Sequence, residues 1–202
     1  MFELWVPVTL AAAFLQNLRS GLQKHLKGRL STSGATFSRF GFGLPVAILY
    51  VLLLHVAVGH AFSTPNVTFF LWTAFGGTTQ IGATATLVYL FGFRNFAVGT
   101  AYSKTETVQA AIFGAVFLGD RLTSPAIVAM LISLVGVMAI SLARSGRGIA
   151  SLANALLEKS TLIGLVSGAL FGISAVAYRG ASLSLGGPHF LMQAGYTMLW
   201  AT

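Results

Sequence analysis

Lys104 and Glu106 are the residues most able to do chemistry here, because both sit in a run, Phe96 to Leu118, that holds no other charge. A charge at the middle of a membrane helix costs about 2.5–3.5 kcal/mol on insertion scales, so one that is kept there is a functional candidate by default. On a continuous helix residues two apart point about 200° from each other, so each should find its partner on another helix. Glu106 is the one carboxylate inside an apolar run, and Arg19, Lys24 and Arg39 are the cations available to it. Two roles stay open for these charges: a buried ion pair that fixes helix register, or coupling to the movement of a solute or proton.

Neutral polar groups at the same depth lack a partner in lipid and should face the bundle interior. Gln16 and Asn17 in the first run, Gln80 in the third and Gln109 in the fourth are of this kind, either as hydrogen bonds between helices or as solute contacts. Tyr50, Tyr89 and Tyr102 could line a cavity or simply pack. Gly164, Gly168 and Gly172 recur every four residues and give a flat strip for close backbone approach. Gly76-Gly77, Gly82 and Pro45 mark places where a helix can bend or unwind. Enzyme chemistry finds no support. His25, His55, His60 and His189 have neither HExxH nor HxH spacing, GxSxG is absent, and an aspartyl intramembrane protease would need two carboxylates at depth. With no Cys in the chain, disulfides, thiolate metal sites and Cys nucleophiles are excluded. No cofactor or metal is expected.

The elements that must position these groups follow from composition. Of 202 residues 55% are hydrophobic and 8% charged, against about 25% charged in a soluble domain, and the mean hydropathy is +0.82. So much apolar surface cannot be hidden inside a globule of this size, so the expected solvent is a lipid bilayer. The net charge of +8 does not point to nucleic acid, since the twelve Lys and Arg fall between uncharged runs rather than in a patch with stacking aromatics.

Seven runs are long enough to be considered as spans: Trp5 to Lys24, Phe37 to Val58, Val67 to Phe93, Phe96 to Leu118, Pro125 to Ala143, Leu162 to Tyr178, and Pro188 to the end. The first reads as a span rather than a cleaved leader. The seventh stops at Thr202 after 15 residues, so the sequence reads as part of a longer protein. The connections at Gly59 to Asn66, Arg94-Asn95 and Gly119 to Ser124 leave room for turns only. The longer link over 144–161 contains the amphipathic stretch "IASLANALLEK", suited to a short interfacial helix. The expected fold is an all-α integral membrane protein, a multi-span helical bundle crossing the cell membrane, a bacterial inner membrane. Lys27, Arg29, Arg94, Arg144, Arg147 and Lys159 fall on one side of that bundle and Arg121 and Arg179 on the other, which places the N-terminus outside.

The stretch "YSKTETVQAAIFGAVFLGDRLTSPAIVAMLISLVGVMAISL", Tyr102 to Leu142, resembles the end of the first repeat in the EamA family of the drug/metabolite transporter superfamily. Glu106 in the fourth span, Asp120 fourteen residues later with Arg121, Leu122 and Thr123, and Gly136 in the fifth span carry the likeness, with Thr107 and Asp120 standing where the family usually has Pro and Glu. Arg39 in "ATFSRFGFG" is similar to the family's Arg near the start of the second span. The resemblance implies two inverted five-helix repeats: residues 1–143 as the first, 144–161 as a linker, and 162–202 as the start of the second. An offset of 155 lays Lys24 on Arg179 and Leu30 on Leu185. It also implies cytoplasmic termini, opposite to the charge count, so orientation stays open. The function it implies is secondary transport of a small organic metabolite or drug-like solute by alternating access, without an ATP motif and with a coupling ion or a solute gradient supplying the energy. The cavity is expected between spans one to four, with Glu106, Lys104, Arg39, Gln16, Asn17, Gln80 and Tyr102 along the solute pathway and Asp120 and Arg121 in a structural or gating turn. The competing reading is a membrane scaffold or assembly subunit that docks through the glycine strip. A homodimer fits either.

Overall fold

The computed structural model describes residues 5–93, 96–145, 158–187 and 189–202. Among them the chain is all-helical, with turns and no strand. Nine helices are described: α1 (Trp5–Lys27), α2 (Thr32–Gly41), α3 (Gly43–Val56), α4 (Val67–Leu90), α5 (Phe96–Ser103), α6 (Glu106–Leu118), α7 (Ser124–Ser145), α8 (Lys159–Ser184) and α9 (Phe190–Ala201). Arg94-Asn95, Pro188 and most of the expected interfacial helix in the 144–161 link lie outside the described residues.

Among the described residues two helical stretches are long and apolar enough to cross a membrane, Thr32–Val56 and Lys159–Ser184. Their 25 and 26 residues reach about 37–39 Å at 1.5 Å per residue, more than a ~30 Å hydrocarbon core requires. These correspond to the second and sixth of the seven expected runs. A shorter apolar helix covers Ser124–Ile140. α4 has the length and no charge, but six Thr, three Gly and Gln80 lower its apolarity.

Local sequence accounts for the helix ends. Ser31 Oγ accepts from Gly34 N at 3.1 Å to start α2, and Asn66 Oδ1 accepts from Phe69 N at 2.7 Å to start α4. The Nδ2 of Asn66 also donates to Ser184 O at 2.7 Å, tying the start of α4 to the end of α8. α6 ends where Gly119 adopts φ +70°, a left-handed conformation that glycine takes without strain.

The fourth run is not one helix. Lys104 N and Thr105 N donate to Ala101 O and Tyr102 O, each three residues back, and this tight turn separates α5 from α6. The 200° argument for Lys104 and Glu106 assumed a continuous helix and so does not apply. Conversely, α4 runs unbroken through Gly76-Gly77 and Gly82, so these glycines do not interrupt the helix. At Gly76 a Cβ would come within 2.9 Å of the Tyr178 ring, so this glycine makes room for a neighbour. The second run is divided at Phe42, between Gly41 and Gly43 and just ahead of Pro45, but the Phe42 backbone stays in the helical region, so α2 and α3 continue as one stretch.

α8 is the centre of the packing, against α4 on one side and α5 and α6 on the other, while α9 lies on α3 and α8. Buried Ala83, Leu87, Leu90 and Phe171 form the α4–α8 contact. Phe69, Ala181 and Leu185 close one end of it, and Val51, Leu54 and Met192 join α3 to α9. Outside this centre large apolar side chains face outward: Phe14 on α1, Val56 on α3 and Ile132 on α7 are 69%, 79% and 67% exposed. Inside, small and hydroxyl side chains sit among the large ones, with Ala35, Ala47, Ala83, Ala177, Ser167 and Ser174 fully buried beside Phe69 and Leu90.

Candidate functional site

The glycine strip of α8 holds the break between α5 and α6. A Cβ at Gly168 would lie 2.9 Å from Ser103 O, and one at Gly172 3.0 Å from Ala110 N, while Gly164 is buried on the same helix. No other residue type allows the α5–α6 backbone to come so close. Thr105 Oγ1 donates to Tyr102 O and accepts from Gln109 Nε2, each at 2.7 Å, so the polar atoms of the break are satisfied locally.

This arrangement brings Glu106 to the head of α6, in electrostatic range of Lys104, Arg19 and Arg39. Among the described residues the charges gather as a loose group of three cations and one carboxylate rather than as a contact ion pair, and Arg19 Nε is buried without a hydrogen-bond partner.

Arg39 is held from several sides. Its Nη1 donates to Thr84 Oγ1 on α4, and the guanidinium carbon lies 5.3 Å and 5.6 Å from the ring centroids of Phe40 and Phe171, within cation–π range. Thr84 Oγ1 in turn donates to Gln80 O at 2.9 Å, and Gln80 Oε1 accepts from Ser174 Oγ at 2.7 Å. Arg39 and Gln80 then share the wall of a cavity of about 470 Å³ with Phe40, Tyr178, Arg179, Ser182, Ala194, Thr197, Met198, Ala201 and Thr202. Small-molecule sites commonly enclose about 300–1,000 Å³.

Of the expected pathway residues, then, Arg39 and Gln80 line this cavity and the others lie elsewhere. It opens between α2, α4, α8 and α9, not between the first four runs. Lys104 and Glu106 are not in its wall; they stand at the α5–α6 break, with the Glu106 backbone against the glycine strip of α8. Tyr102 is buried with Ala101 and Val137, and its hydroxyl has no partner among the described residues. Gln16 is half-buried, but Asn17 is exposed and does not face the interior, because α1 meets the rest of the chain only over a short stretch of α2 and α4. Tyr89 is exposed and Tyr50 half-buried, packed against the contact between α3 and α9. In the turn after α6, Asp120 Oδ2 accepts from Arg179 Nη1 and pins the turn to α8, while Arg121 is exposed.

Sequence reasoning missed Tyr178, Ser182, Thr197 and Arg179. Serine, threonine and tyrosine are frequent on apolar helices, so only the meeting of α8 with α9 sets these apart. Histidines also meet: the rings of His60 and His189 stack 3.9 Å apart at 6°. Parallel rings aim their nitrogens along parallel planes, which does not converge on a metal ion, and among the described residues no group of three or more metal-ligating side chains forms.

No protein-family model, curated protein or solved structure matches the chain.

Proposed function

We propose that the chain is a multi-span protein of the cell membrane, of the EamA type, and a secondary transporter that moves a small organic solute by alternating access through the cavity at Arg39 and Gln80. The observation that carries this reading is a roomy, partly polar cavity inside a bundle whose outer face is apolar. Exposed Leu, Val, Ile and Phe cover α1, α3 and α7 well beyond what a soluble monomer leaves in contiguous patches. Along α4 the hydroxyls of Thr78, Thr79, Thr84 and Thr86 each donate to a carbonyl one turn back, which suits an apolar solvent that offers no partners. Gln80 lies mid-helix, where a polar side chain kept against hydrocarbon is functional by default.

The scaffold reading loses the face it relied on, because Gly168 and Gly172 are covered by α5 and α6 of the same chain. Glu106 then serves the buried charge group, at one remove from the cavity.

Counterflow in proteoliposomes tests the proposal. Vesicles preloaded with unlabelled amino acids, sugars, nucleosides, organic acids or amines should take up the labelled member of at least one class faster than protein-free vesicles, and Glu106→Gln should reduce that flux. Absence of flux in every class, from protein that is folded in the vesicles, would return the scaffold reading.

A further inference from the structure

We propose that the cavity takes an organic carboxylate with an aromatic or aliphatic body. The inference rests on the reading of this cavity as the solute site. Two guanidinium side chains, Arg39 and Arg179, stand in its wall, and no carboxylate does. Outside the wall, Glu106, Arg19 and Lys104 form one charge group with Arg39: Arg39 and Glu106 act on each other, Arg19 on both, and Lys104 on Glu106. Three cations against one carboxylate leave this group at +2. Among the described residues the other carboxylates do not redress that. The chain has four Asp and Glu in all, of which Glu3 lies outside the described residues; Asp120 is bound to Arg179, and Glu158 stands at the N-cap position of α8, nearly six turns from Tyr178.

An excess of positive charge inside an apolar bundle is costly, and an anionic solute offsets it. Arg39 is built for a carboxylate in particular. One of its five N–H groups is engaged by Thr84, and the guanidinium lies within cation–π range of both Phe40 and Phe171, so four N–H groups of a planar, positioned fork remain for a carboxylate. Ser182 and Gln80 add neutral hydrogen-bonding groups, while Phe40, Ala194 and Met198 supply an apolar wall for the rest of the molecule.

The test uses the purified full chain in detergent and matched carboxylate, amide and amine on indolyl, phenyl and butyl bodies, for example indole-3-acetate, indole-3-acetamide and tryptamine. At saturation at least one carboxylate should raise the unfolding midpoint by about 5 °C, with its amide and amine within about 1 °C of no ligand. Arg39→Gln should weaken that carboxylate about tenfold or more, and Arg39→Lys less so. Gln80→Glu keeps the acceptor for Ser174, so it should fold. It should weaken the carboxylate and strengthen the amine, and it decides the matter if Arg39→Gln does not fold. Stabilisation by the amines or amides equal to that by the carboxylates, or by no carboxylate at all, overturns the inference. Counterflow separates the two proposals: flux of neutral or cationic solutes alone leaves transport standing and removes the anion, whereas carboxylate binding without flux in any class keeps the anion site and removes transport.

Discussion

Around α8 the helices meet through glycine, alanine and serine together with a few buried large residues, Phe69, Leu87, Leu90, Phe171 and Leu185, whereas α1 and α7 turn leucine, valine and phenylalanine outward and touch little of the chain. In water the reverse arrangement is stable, since large apolar side chains contribute most when buried. In hydrocarbon an outward leucine loses nothing, and helix association depends on close backbone approach and hydrogen bonds, which small residues permit. The contrast between the two regions therefore says where mutations should hurt, and it gives the site its setting: the cavity and three members of the charge group, Arg39, Lys104 and Glu106, are anchored on the closely packed half, while Arg19 joins them from α1.

The sharpest way to break the comparison is to add volume where backbones touch. Gly168→Val would drive a branched side chain into Ser103 O, already 2.9 Å from a single Cβ, and backbone cannot swing aside as a flexible side chain does. A loss of about 3 kcal/mol or more is expected, at the upper end of overpacking effects, read from unfolding in mixed detergent micelles. Gly172→Val should behave similarly. Full stability of either variant would mean that α8 does not seat the α5–α6 break.

Next in size are the buried hydrogen bonds of the same half. Ser167 is fully buried and donates to Ala83 O across the α4–α8 contact at 3.0 Å. Ser167→Ala should lower stability by about 1 kcal/mol, as interhelical bonds in membranes do, while Ser133→Ala on the exposed part of α7 should leave the same unfolding curve unmoved. An equal loss at both positions would erase the distinction between the halves.

The same contrast explains what was legible in the sequence. Apolar runs give the helices, since their length and lack of charge do not depend on what they pack against, and Val67 to Phe93 is close to α4 for that reason. The break at Lys104-Thr105 was hidden because neither residue is a helix breaker. The surface that accommodates it lies about sixty residues away, at Gly168 and Gly172. Arg39 and Gln80 could be singled out because a charge or an amide in an apolar run is conspicuous on its own. Ser182 and Thr197 could not, because a hydroxyl on an apolar helix is ordinary until another helix places it in a cavity. Asn17 misled for the opposite reason: polarity says that a side chain needs a partner, not that the partner belongs to the packed half.

The Asp120–Arg179 pair lies at the boundary between the regions and should give a smaller effect. Arg179 is 56% exposed and Asp120 28%, so screening reduces what the pair contributes. Asp120→Asn should lower stability by about 1 kcal/mol at most, an effect that shrinks when the salt concentration is raised. A much larger loss, insensitive to salt, would show that the turn after α6 is held as tightly as Gly168 and that the packed half extends through it.

The smallest expected effect has the opposite sign. Gly136 lies inside α7, and a Cβ there would meet nothing within 4 Å. In a helix interior glycine leaves the unfolded chain more freedom to lose than alanine does. Gly136→Ala should therefore stabilise the protein by about 0.5 kcal/mol, where the same change at Gly168 destabilises it. Both are glycines in long apolar helices, so sequence context alone gives no reason for opposite signs. A measurable loss at Gly136 would mean that another surface lies against α7, and that the outward face of this helix is an interface.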